Sequence, residues 1–490
     1  MLRFSVVSDN HDSALAVFDK NKLLFASQSE RFSKIKNDPR LSLSLVDYAV
    51  SHYGMPEEVL YFETPSSLID RAHGGFKGFF KARRTKKSIT REIQFLLKKK
   101  VPVHFLNHHL SHAATGVYTS SFTDAAVVVL DAIGQCDTVS FYDYHSDRFE
   151  TVKKVLYPDS ICLLYSAFTQ RLGFTPNRDE YQLMGLAAYG KPIFYDRIIE
   201  DFIIGEGINS RLKVDCRRGI DNWMPNLTQE EYKDVAASIQ KFFEYYVLAL
   251  ICYARTYTES NNLILGGGGF LNCVANGLIA RSKVFDKIWI NPNPGDAGSV
   301  LGAQALITGP IDYKDSFLGL NIGLTPDPGD IVCDLLSGNP TVLCTGRAEF
   351  GPRALGNRSI LMDPRKEDSK AILNKIKQRQ AFRPFAPAIL SEYVDDYFVK
   401  PSGIDTSFMQ YTLPYRDNAL PGYRHPNSQA RVQSVKPGSS LLRAVLERWF
   451  EMTGCPVLLN TSLNVKDKPI VNDKRDLLLF HQATDLKIHI

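Results

Sequence analysis

The segment Ala125–Asp131, with the sequence AAVVVLD, is an uninterrupted apolar run that ends in a carboxylate. Such a run is typical of a buried β-strand, and the alternating residues Thr138–Tyr142 (TVSFY) predict a second strand that pairs with it. The same order occurs at the start of the chain, where Phe4–Asp9 (FSVVSD) precedes Ala14–Phe18 (ALAVF). The chain therefore contains a repeated unit of strand, acidic residue and strand.

Two copies of this unit predict an α/β fold with a duplicated mixed sheet, as in the actin-like phosphotransferases, whose turns between paired strands face a nucleotide cleft. Two unrelated hairpins would give the same pattern, so the residues near the turns must decide between these alternatives. Around Gly309–Asp330 the chain becomes rich in Gly, Pro and Asp. We place a domain boundary there, between residues 1–325 and 326–490, and expect a separate α/β unit after it.

The bulk composition is that of an ordinary globular protein. The 490 residues are 44% hydrophobic and 23% charged, and the net charge of +5 does not by itself indicate a nucleic-acid partner. The eight cysteines are scattered without a C-x-x-C pair, which favours a reducing compartment over a disulfide framework or zinc ribbon. No signal segment is apparent, and no run approaches the roughly 18 apolar residues of a membrane span. We therefore expect a cytoplasmic protein without a membrane segment.

Two histidines and two acids form a candidate metal site. His108 and His112 are four residues apart, which places them one above the other on a helix face. Histidines on the surface of an ordinary helix share this spacing, but Asp131 and Asp296, both predicted at strand ends, supply two more ligands. Two imidazoles and two carboxylates suit Fe²⁺, Mn²⁺ or Zn²⁺ rather than a thiolate-preferring metal.

Two further features of the first domain suggest catalysis and nucleotide binding. Asp9 and His11 lie at the end of the first predicted strand, and a carboxylate beside an imidazole can act as general base for an alcohol. A glycine run follows the apolar strand that begins at Leu263. Its backbone N–H groups could surround phosphates, or the glycines could form a tight turn under the sheet. The candidate nucleotide-binding residues are Gly266, Gly267, Gly268, Gly269 and Asn272.

The second domain contains an arginine-rich segment, Gly346–Arg365, with the sequence GRAEFGPRALGNRSILMDPR. Its arginines offer forked donors to phosphate oxygens, and its glycines and prolines let backbone amides approach an anion. A solvated basic loop is the alternative. Together with later loops of the same domain, the candidate anion ligands are Arg347, Arg353, Arg358, Arg383, Asn460 and Asn464.

A basic segment, Lys77–Lys100, contains ten Lys or Arg residues and one acid, Glu92. One interpretation is an amphipathic helix whose inward residues are Phe79, Phe80, Ile89, Phe95 and Leu96. The other is a polyanion-binding face, which would make a hydroxymethylated base in DNA an acceptor substrate. The candidate contacts of that face are Lys81, Arg83, Arg84, Lys86 and Lys87.

Taken together, and in this order along nearly the whole chain, the motifs resemble those of the O-carbamoyltransferases of the nodulation (NodU) and antibiotic-tailoring type, which include the tobramycin and cephalosporin enzymes. The segments that carry the resemblance are HDSA (11–14), ERFS (30–33), 107–113, EYQLMGLAAYG (180–190), NCVANG (272–277), 294–298, 346–365, 382–387, ARVQSV (430–435) and 460–465.

The resemblance implies an actin-like (ASKHA, duplicated RNase H-like) N-terminal domain and a YrdC-like C-terminal α/β domain. It implies that the C-terminal domain binds carbamoyl phosphate and ATP with Mg²⁺ and forms carbamoyl-adenylate, which an acceptor hydroxyl attacks in the N-terminal domain. The family's metal ligands match His108, His112, Asp131 and Asp296, and its base pair matches Asp9 and His11.

The acceptor stays open among a sugar, an antibiotic-like small molecule and 5-hydroxymethylcytosine in DNA, and the sequence does not indicate an oligomeric state. An actin-like ATPase or regulatory nucleotide-binding protein without transferase activity is the alternative from another class. Its weakness is the arginine-rich second domain, because an ATPase switch has no evident need for a second anion site.

Overall fold

The structure is a computed structural model that describes residues 1–9, 12–65 and 85–489. Six of the residues singled out above therefore lie outside the described residues, namely His11, Phe79, Phe80, Lys81, Arg83 and Arg84.

The chain forms two compact units. The first contains Met1–Ser33 and Asn37–Lys314, and the second contains Lys34–Lys36 and Asp315–Ile490. The main segment of the second unit begins at Asp315, within the Gly-, Pro- and Asp-rich stretch, whereas the sequence predicts the boundary after residue 325.

The first unit is a mixed α/β structure. Its strands are β1 (Leu2–Val7), β2 (Ala14–Asp19), β3 (Lys22–Gln28), β4 (Glu58–Tyr61), β5 (Val103–Phe105), β6 (Ala125–Gly134), β7 (Asp137–His145), β8 (Arg148–Leu156), β9 (Ile203–Ile204), β10 (Arg211–Leu212), β11 (Asn262–Gly266) and β12 (Lys287–Ile290). Its helices are α1 (Glu30–Ser33), α2 (Leu43–Tyr53), α3 (Lys86–Leu97), α4 (His108–Thr119), α5 (Ile161–Arg171), α6 (Glu180–Ala187), α7 (Tyr195–Phe202), α8 (Tyr232–Arg255), α9 (Cys273–Ser282) and α10 (Ser299–Thr308).

Two five-stranded sheets of this unit share one topology. Their strand orders are β3-β2-β1-β4-β5 and β12-β11-β6-β7-β8. In each sheet, three strands that are consecutive in sequence pair antiparallel. The first of the three also pairs with a parallel strand, and that strand pairs with a second parallel strand at the edge of the sheet. The duplicated unit expected from the sequence is therefore present, with β1 and β6 as the equivalent central strands.

The packing of α4 on the second sheet explains why β6 is so apolar. Val127 and Val129 of β6 lie in one buried cluster with Ile264 of β11 and with Ala113 and Val117 of α4. Full burial of a valine or isoleucine side chain contributes about 1.5–3 kcal/mol, so this cluster holds α4 firmly against the sheet. The position of the two histidines of α4 follows from this contact.

The second unit is also mixed α/β. Its strands are β13 (Thr341–Cys344), β14 (Arg358–Met362), β15 (Ala386–Leu390), β16 (Thr412–Pro414), β17 (Gln429–Arg431), β18 (Gln433–Val435) and β19 (Val457–Ser462), and its helices are α11 (Pro328–Leu336), α12 (Ser369–Ile376), α13 (Val394–Tyr397), α14 (Leu441–Thr453) and α15 (Lys474–Thr484). The main sheet has the order β13-β14-β19-β15-β18 and is antiparallel except between β15 and β18. Trp449 and Leu446 of α14 pack on Leu361 and Leu458 of this sheet in a buried core.

Among the described residues, one helical segment, Gln229–Arg255, is long and apolar enough by length and composition to cross a membrane. Of its most apolar window, 61% is buried inside the protein, as in the core helix of a folded domain. This segment is therefore weak evidence for a membrane span.

The glycine after β11 gives a test of the close packing between the glycine run and β6. Gly267 has a φ of 94°, and a Cβ at this position would collide with the carbonyl oxygen of Leu130. Gly173 has a φ of 81° and open space around it. We expect Gly173→Ala to cost about 1 kcal/mol of unfolding free energy through backbone strain, and Gly267→Ala to cost about 2–4 kcal/mol because a steric clash is added. Denaturant unfolding measures both variants, and equal losses would contradict this explanation.

Candidate functional site

Four buried side chains of the first unit bring their ligand atoms together. His108, His112, Asp131 and Asp296 each place one such atom within 4.8 Å of the others. His108 Nε2 lies 3.1 Å from His112 Nε2 and 3.2 Å from Asp131 Oδ2 and Asp296 Oδ1, and His112 Nε2 lies 3.2 Å from Asp296 Oδ1. The structure thus assembles the four residues singled out in the sequence into one cluster that could hold a metal ion.

Local structure explains how each ligand reaches the cluster. Asn107 caps α4 by accepting a hydrogen bond from the Leu110 N–H at 2.9 Å, which starts the helix so that both histidines share one face. Asp131 lies in β6 where the pairing with β7 is interrupted, and such irregularities re-aim side chains. Asp296 begins a short 3₁₀ turn that leads into α10.

The electrostatics of the cluster favour a cation. Burial lowers the pKa of His108, but the charge of Asp296 and hydrogen bonds to Asp131, Asp296 and Glu63 outweigh it, and the pKa lies well above its usual value. For Asp131, burial and the charge of Asp296 raise the pKa. The hydrogen bond to His108 and the charges of His108 and His112 lower the pKa by more, so it lies below its usual value. Buried carboxylates require a positive partner, and a metal ion bound here would replace the proton on the imidazole.

The glycine run lies beside this cluster. The Gly268 N–H donates to Asp131 Oδ1 at 3.3 Å, and the Gly267 N–H donates to the carbonyl of Pro294 at 2.8 Å. These two N–H groups therefore donate to acceptors within the protein. Position 267 also requires glycine, because a Cβ there would collide with the Leu130 carbonyl oxygen. The tight turn considered from the sequence is present, and it places the loop next to a candidate metal ligand.

Asn272 connects the glycine run to α9. Its side chain accepts from the Ala275 N–H at 3.1 Å and so caps the helix, and its amide donates to Gln240 Oε1 at 2.9 Å. Tyr165 donates to the same Gln240 oxygen at 2.8 Å. The side chain predicted for nucleotide binding is thus also a helix cap held by a buried polar network.

Asp9 is exposed at the end of β1, with a φ of 68° in the left-handed region. Ser8 Oγ donates to its Oδ2 at 2.9 Å, and the Tyr61 hydroxyl donates to the Ser8 carbonyl at 2.6 Å. Burial raises the pKa of Tyr61, and the charges of Glu63 and Asp296 raise it further. Hydrogen bonds therefore connect Asp9 through Ser8 to Tyr61.

The sequence analysis missed two residues behind the histidines. Glu63 Oε2 lies 3.3 Å from His108 Nδ1, and Ser299 Oγ lies 3.1 Å from His112 Nδ1. A signal for Glu63 exists, because the apolar stretch Val59–Phe62 ends in this acid just as the β6 segment ends in Asp131.

The second unit contains a buried cation that the sequence analysis also missed. Lys377 Nζ donates to Asn464 Oδ1 at 2.9 Å, to the Asn464 carbonyl at 3.0 Å and to Ser462 Oγ at 3.2 Å. Burial lowers the pKa of Lys377 well below its usual value, and the charges of Arg379 and Arg383 lower it further. A concentration of three cations within residues 377–383 could have indicated this cluster.

Three of the predicted anion ligands donate hydrogen bonds to acceptors within the protein. Arg358 is fully buried and donates to the carbonyls of Thr345, Leu320 and Asn472 at 2.6, 3.1 and 3.1 Å. Arg347 donates to the carbonyls of Leu318 and Gly319, and the Asn460 amide donates to the Ala354 carbonyl and to Gln433 Oε1. These donors satisfy backbone and side-chain acceptors of the protein, so we leave the three residues out of the anion site proposed below.

Arg353, Arg383 and Asn464 remain as candidates, and all three are half-buried. The loop around Arg353 is held by Glu349, whose Oε1 accepts from the N–H groups of Leu355 and Asn357 at 2.7 and 2.9 Å. The part of the arginine segment before β14 is therefore held within the fold, in contrast to the solvated alternative.

Helix α3 contradicts part of the expectation for the basic segment. A capping box between Thr85 and Ser88 starts the helix at Lys86, and this phase turns Ile89, Ile93 and Leu97 inward. Phe95 was expected to face inward but is 78% exposed. The exposed cations of the segment are Lys86, Lys87 and Arg91 in the helix and Lys98, Lys99 and Lys100 after it.

Comparisons with known proteins agree with the resemblance noted in the motifs. The family profile described as "Carbamoyltransferase N-terminus" matches residues 76–305, and "Carbamoyltransferase C-terminus" matches residues 333–490. A Synechocystis protein is 32% identical over 97% of this chain and 93% of its own. Nodulation protein NolO of Bradyrhizobium diazoefficiens is 31% identical over 78% of this chain and 77% of its own. The 3'-hydroxymethylcephem-O-carbamoyltransferase of Amycolatopsis lactamdurans is 26% identical over 96% of this chain and 95% of its own.

Solved structures give more distant likenesses. Component A of the (R)-2-hydroxyglutaryl-CoA dehydratase of Acidaminococcus fermentans has 12% identity and a TM-score of 0.36 over 62% of this chain and 96% of that chain. HypF of T. kodakarensis has 15% identity and a TM-score of 0.36 over 63% of this chain and 48% of that chain. At this distance neither supports a conclusion about function. The sequence matches suffice, and the chain belongs to the carbamoyltransferase family of enzymes, which includes relatives named for nodulation and for cephem O-carbamoylation.

Proposed function

We propose that this carbamoyltransferase activates carbamoyl phosphate with ATP and Mg²⁺ to carbamoyl-adenylate and transfers the carbamoyl group to an acceptor hydroxyl. In this proposal the first unit is an actin-like domain that binds nucleotide at the run Gly266–Gly269, and the second is a YrdC-like domain that makes the adenylate. The observation that carries the proposal is the cluster of four ligand atoms within 4.8 Å beside the glycine run.

The second unit would bind the donor anions. Lys377, Arg353, Arg383 and Asn464 are its candidate ligands, and a buried lysine gains charge stabilisation from a phosphate or carbamate. Carbamoyl phosphate and ATP together contain one phosphate more than carbamoyl-adenylate and pyrophosphate. One water must therefore be consumed to release phosphate and leave carbamate, whose oxygen then attacks the α-phosphorus of ATP as the bond to pyrophosphate breaks.

The first unit would carry out the transfer. The acceptor oxygen forms a bond to the carbamoyl carbon while the bond from that carbon to the AMP oxygen breaks. Asp9 with His11 would take the hydroxyl proton as general base. His108, His112, Asp131 and Asp296 would hold Fe²⁺, Mn²⁺ or Zn²⁺, and such an ion would neutralise the charge of the nucleotide phosphate when bound.

The two half-reactions can be separated by substitution. Arg353→Ala should reduce formation of carbamoyl-adenylate and pyrophosphate from labelled carbamoyl phosphate and ATP by at least about 100-fold, because a charged donor to phosphate is lost. His112→Ala should leave adenylate formation measurable and stop transfer, with Arg347→Ala as a control for structural loss. Equal loss of both half-reactions in the Arg353 and His112 variants would contradict the two-site scheme. Release of ADP alone, unaffected by carbamoyl phosphate, would support the ATPase alternative instead.

Lys377 predicts a proton linkage. Its pKa is lowered by burial and by Arg379 and Arg383, and a bound anion favours the charged form. Binding of inorganic phosphate should therefore take up a proton at pH values above the lowered pKa of Lys377, and affinity should fall as pH rises. Calorimetry in two buffers of different ionisation enthalpy measures the uptake, and Lys377→Met should abolish both the linkage and most of the binding. Heats that do not depend on the buffer would contradict this role.

The exposed cations of α3 and of the residues after it keep DNA among the acceptors, and Phe95 is exposed on the same helix. If duplex DNA with 5-hydroxymethylcytosine is the acceptor, Lys87→Glu with Arg91→Glu should reduce the slope of log affinity against log salt by about 2. Lys283→Glu with Lys287→Glu makes the same charge change elsewhere on the first unit and should do less. Carbamoylation of a sugar or antibiotic in a mass-shift panel, without binding of DNA at low salt, would remove nucleic acid from the proposal.

A further inference from the structure

We propose that Glu63 is a positioning residue of the candidate metal centre, and that it holds the His108 ring more strongly than Ser299 holds the ring of His112. This inference rests on the proposed function only in requiring that the four-residue cluster bind a metal ion. It assigns a role to a residue outside the ligand set, and it predicts that the two histidines are supported unequally.

The two imidazoles have the same orientation toward the cluster and different supports behind them. Each places Nε2 toward Asp296 Oδ1, at 3.2 Å in both cases. On the far side, His108 Nδ1 meets Glu63 Oε2 at 3.3 Å, and His112 Nδ1 meets Ser299 Oγ at 3.1 Å. A ring that coordinates through Nε2 carries its hydrogen on Nδ1, so Glu63 and Ser299 would each accept that hydrogen and fix the tautomer.

Hydrogen bonds to the residues before and after Glu63 fix the position of its backbone. Before it, Ser111 of α4 donates to the carbonyl of Phe62 at 3.1 Å. After it, Gln135 donates to the carbonyl of Thr64 at 2.8 Å. The same Gln135 accepts from the amide of Asn107, the cap of α4, at 2.8 Å. The backbone of Glu63 is thus fastened to the helix that carries His108, so its contact with the ring is a consequence of the fold.

Charge distinguishes the two supports. The Glu63 side chain is only 14% exposed and the His108 side chain is fully buried, so their interaction is weakly screened by water. A carboxylate that accepts the Nδ1 hydrogen increases the electron density at Nε2, whereas a neutral hydroxyl such as that of Ser299 does so less. Loss of an outer partner of this kind typically weakens metal binding by about 10–100-fold.

The test compares Glu63→Gln and Ser299→Ala with the unaltered protein. Glutamine keeps the shape and an acceptor oxygen but removes the charge. The measurements are the affinity for Zn²⁺ by competition with a chromogenic chelator and the visible spectrum of the Co²⁺-loaded protein. We expect Glu63→Gln to bind Zn²⁺ about 10–100-fold more weakly with a shifted Co²⁺ spectrum, and Ser299→Ala to lose less than about 5-fold. Glu63→Asp should recover part of the loss, because it restores the charge at a greater distance.

The outcomes separate this inference from the proposed function. If the unaltered protein binds one equivalent of Zn²⁺ and Glu63→Gln binds it equally well, the positioning role is wrong and the metal centre stands. If Ser299→Ala loses as much affinity as Glu63→Gln, the unequal support is wrong. If the unaltered protein binds no metal ion, the metal centre fails and the inference fails with it.

Discussion

The contact between α4 and the sheet at β6 and β11 is the interaction on which the candidate site depends. Val127 and Val129 pack against Ala113 and Val117, and this buried cluster fixes the rotation and height of α4 over the second sheet. A rotation of α4 by one residue, about 100°, would carry the histidines away from Asp131. The apolar cluster thus orients α4 so that His108 and His112, four residues apart, both direct Nε2 toward the acids.

Close packing on the other side of α4 adds the remaining ligand. A Cβ on Gly302 of α10 would collide with the Ser111 carbonyl, so the two helices approach each other as closely as backbones can. Thr115 of α4 donates to the carbonyl of Gly298 at 3.1 Å, which ties the turn that contains Asp296 to the same helix. Contacts with neighbouring residues therefore hold both Asp131 and Asp296 in place relative to α4. Their buried negative charges repel each other, and a bound cation would reduce this repulsion.

Much of the first unit could be predicted from the sequence, because its signals are local. The apolar runs that end in Asp9 and Asp131 identify the duplicated central strands, and the spacing of His108 and His112 needs only a helix. Glu63 and Lys377 were missed because their roles come from contacts across 45 and 85 residues. Phe95 was placed on the wrong face because apolar character alone does not determine the phase of a helix, whereas the cap at Thr85 does.

The arginines of the second unit show why residue type cannot assign an anion site. Arg358 is buried, and its two terminal nitrogens donate to the backbone carbonyls of Thr345, Leu320 and Asn472. Lys377 is buried as deeply and also donates to oxygens, but the neighbouring charges of Arg379 and Arg383 oppose its own. An anion near Lys377 would relieve that repulsion, whereas an anion near Arg358 would have to displace carbonyls that the strands require. Burial alone therefore does not separate a structural cation from a candidate binding cation, and the repulsion around Lys377 is the property for which we propose it as a ligand of the donor anion.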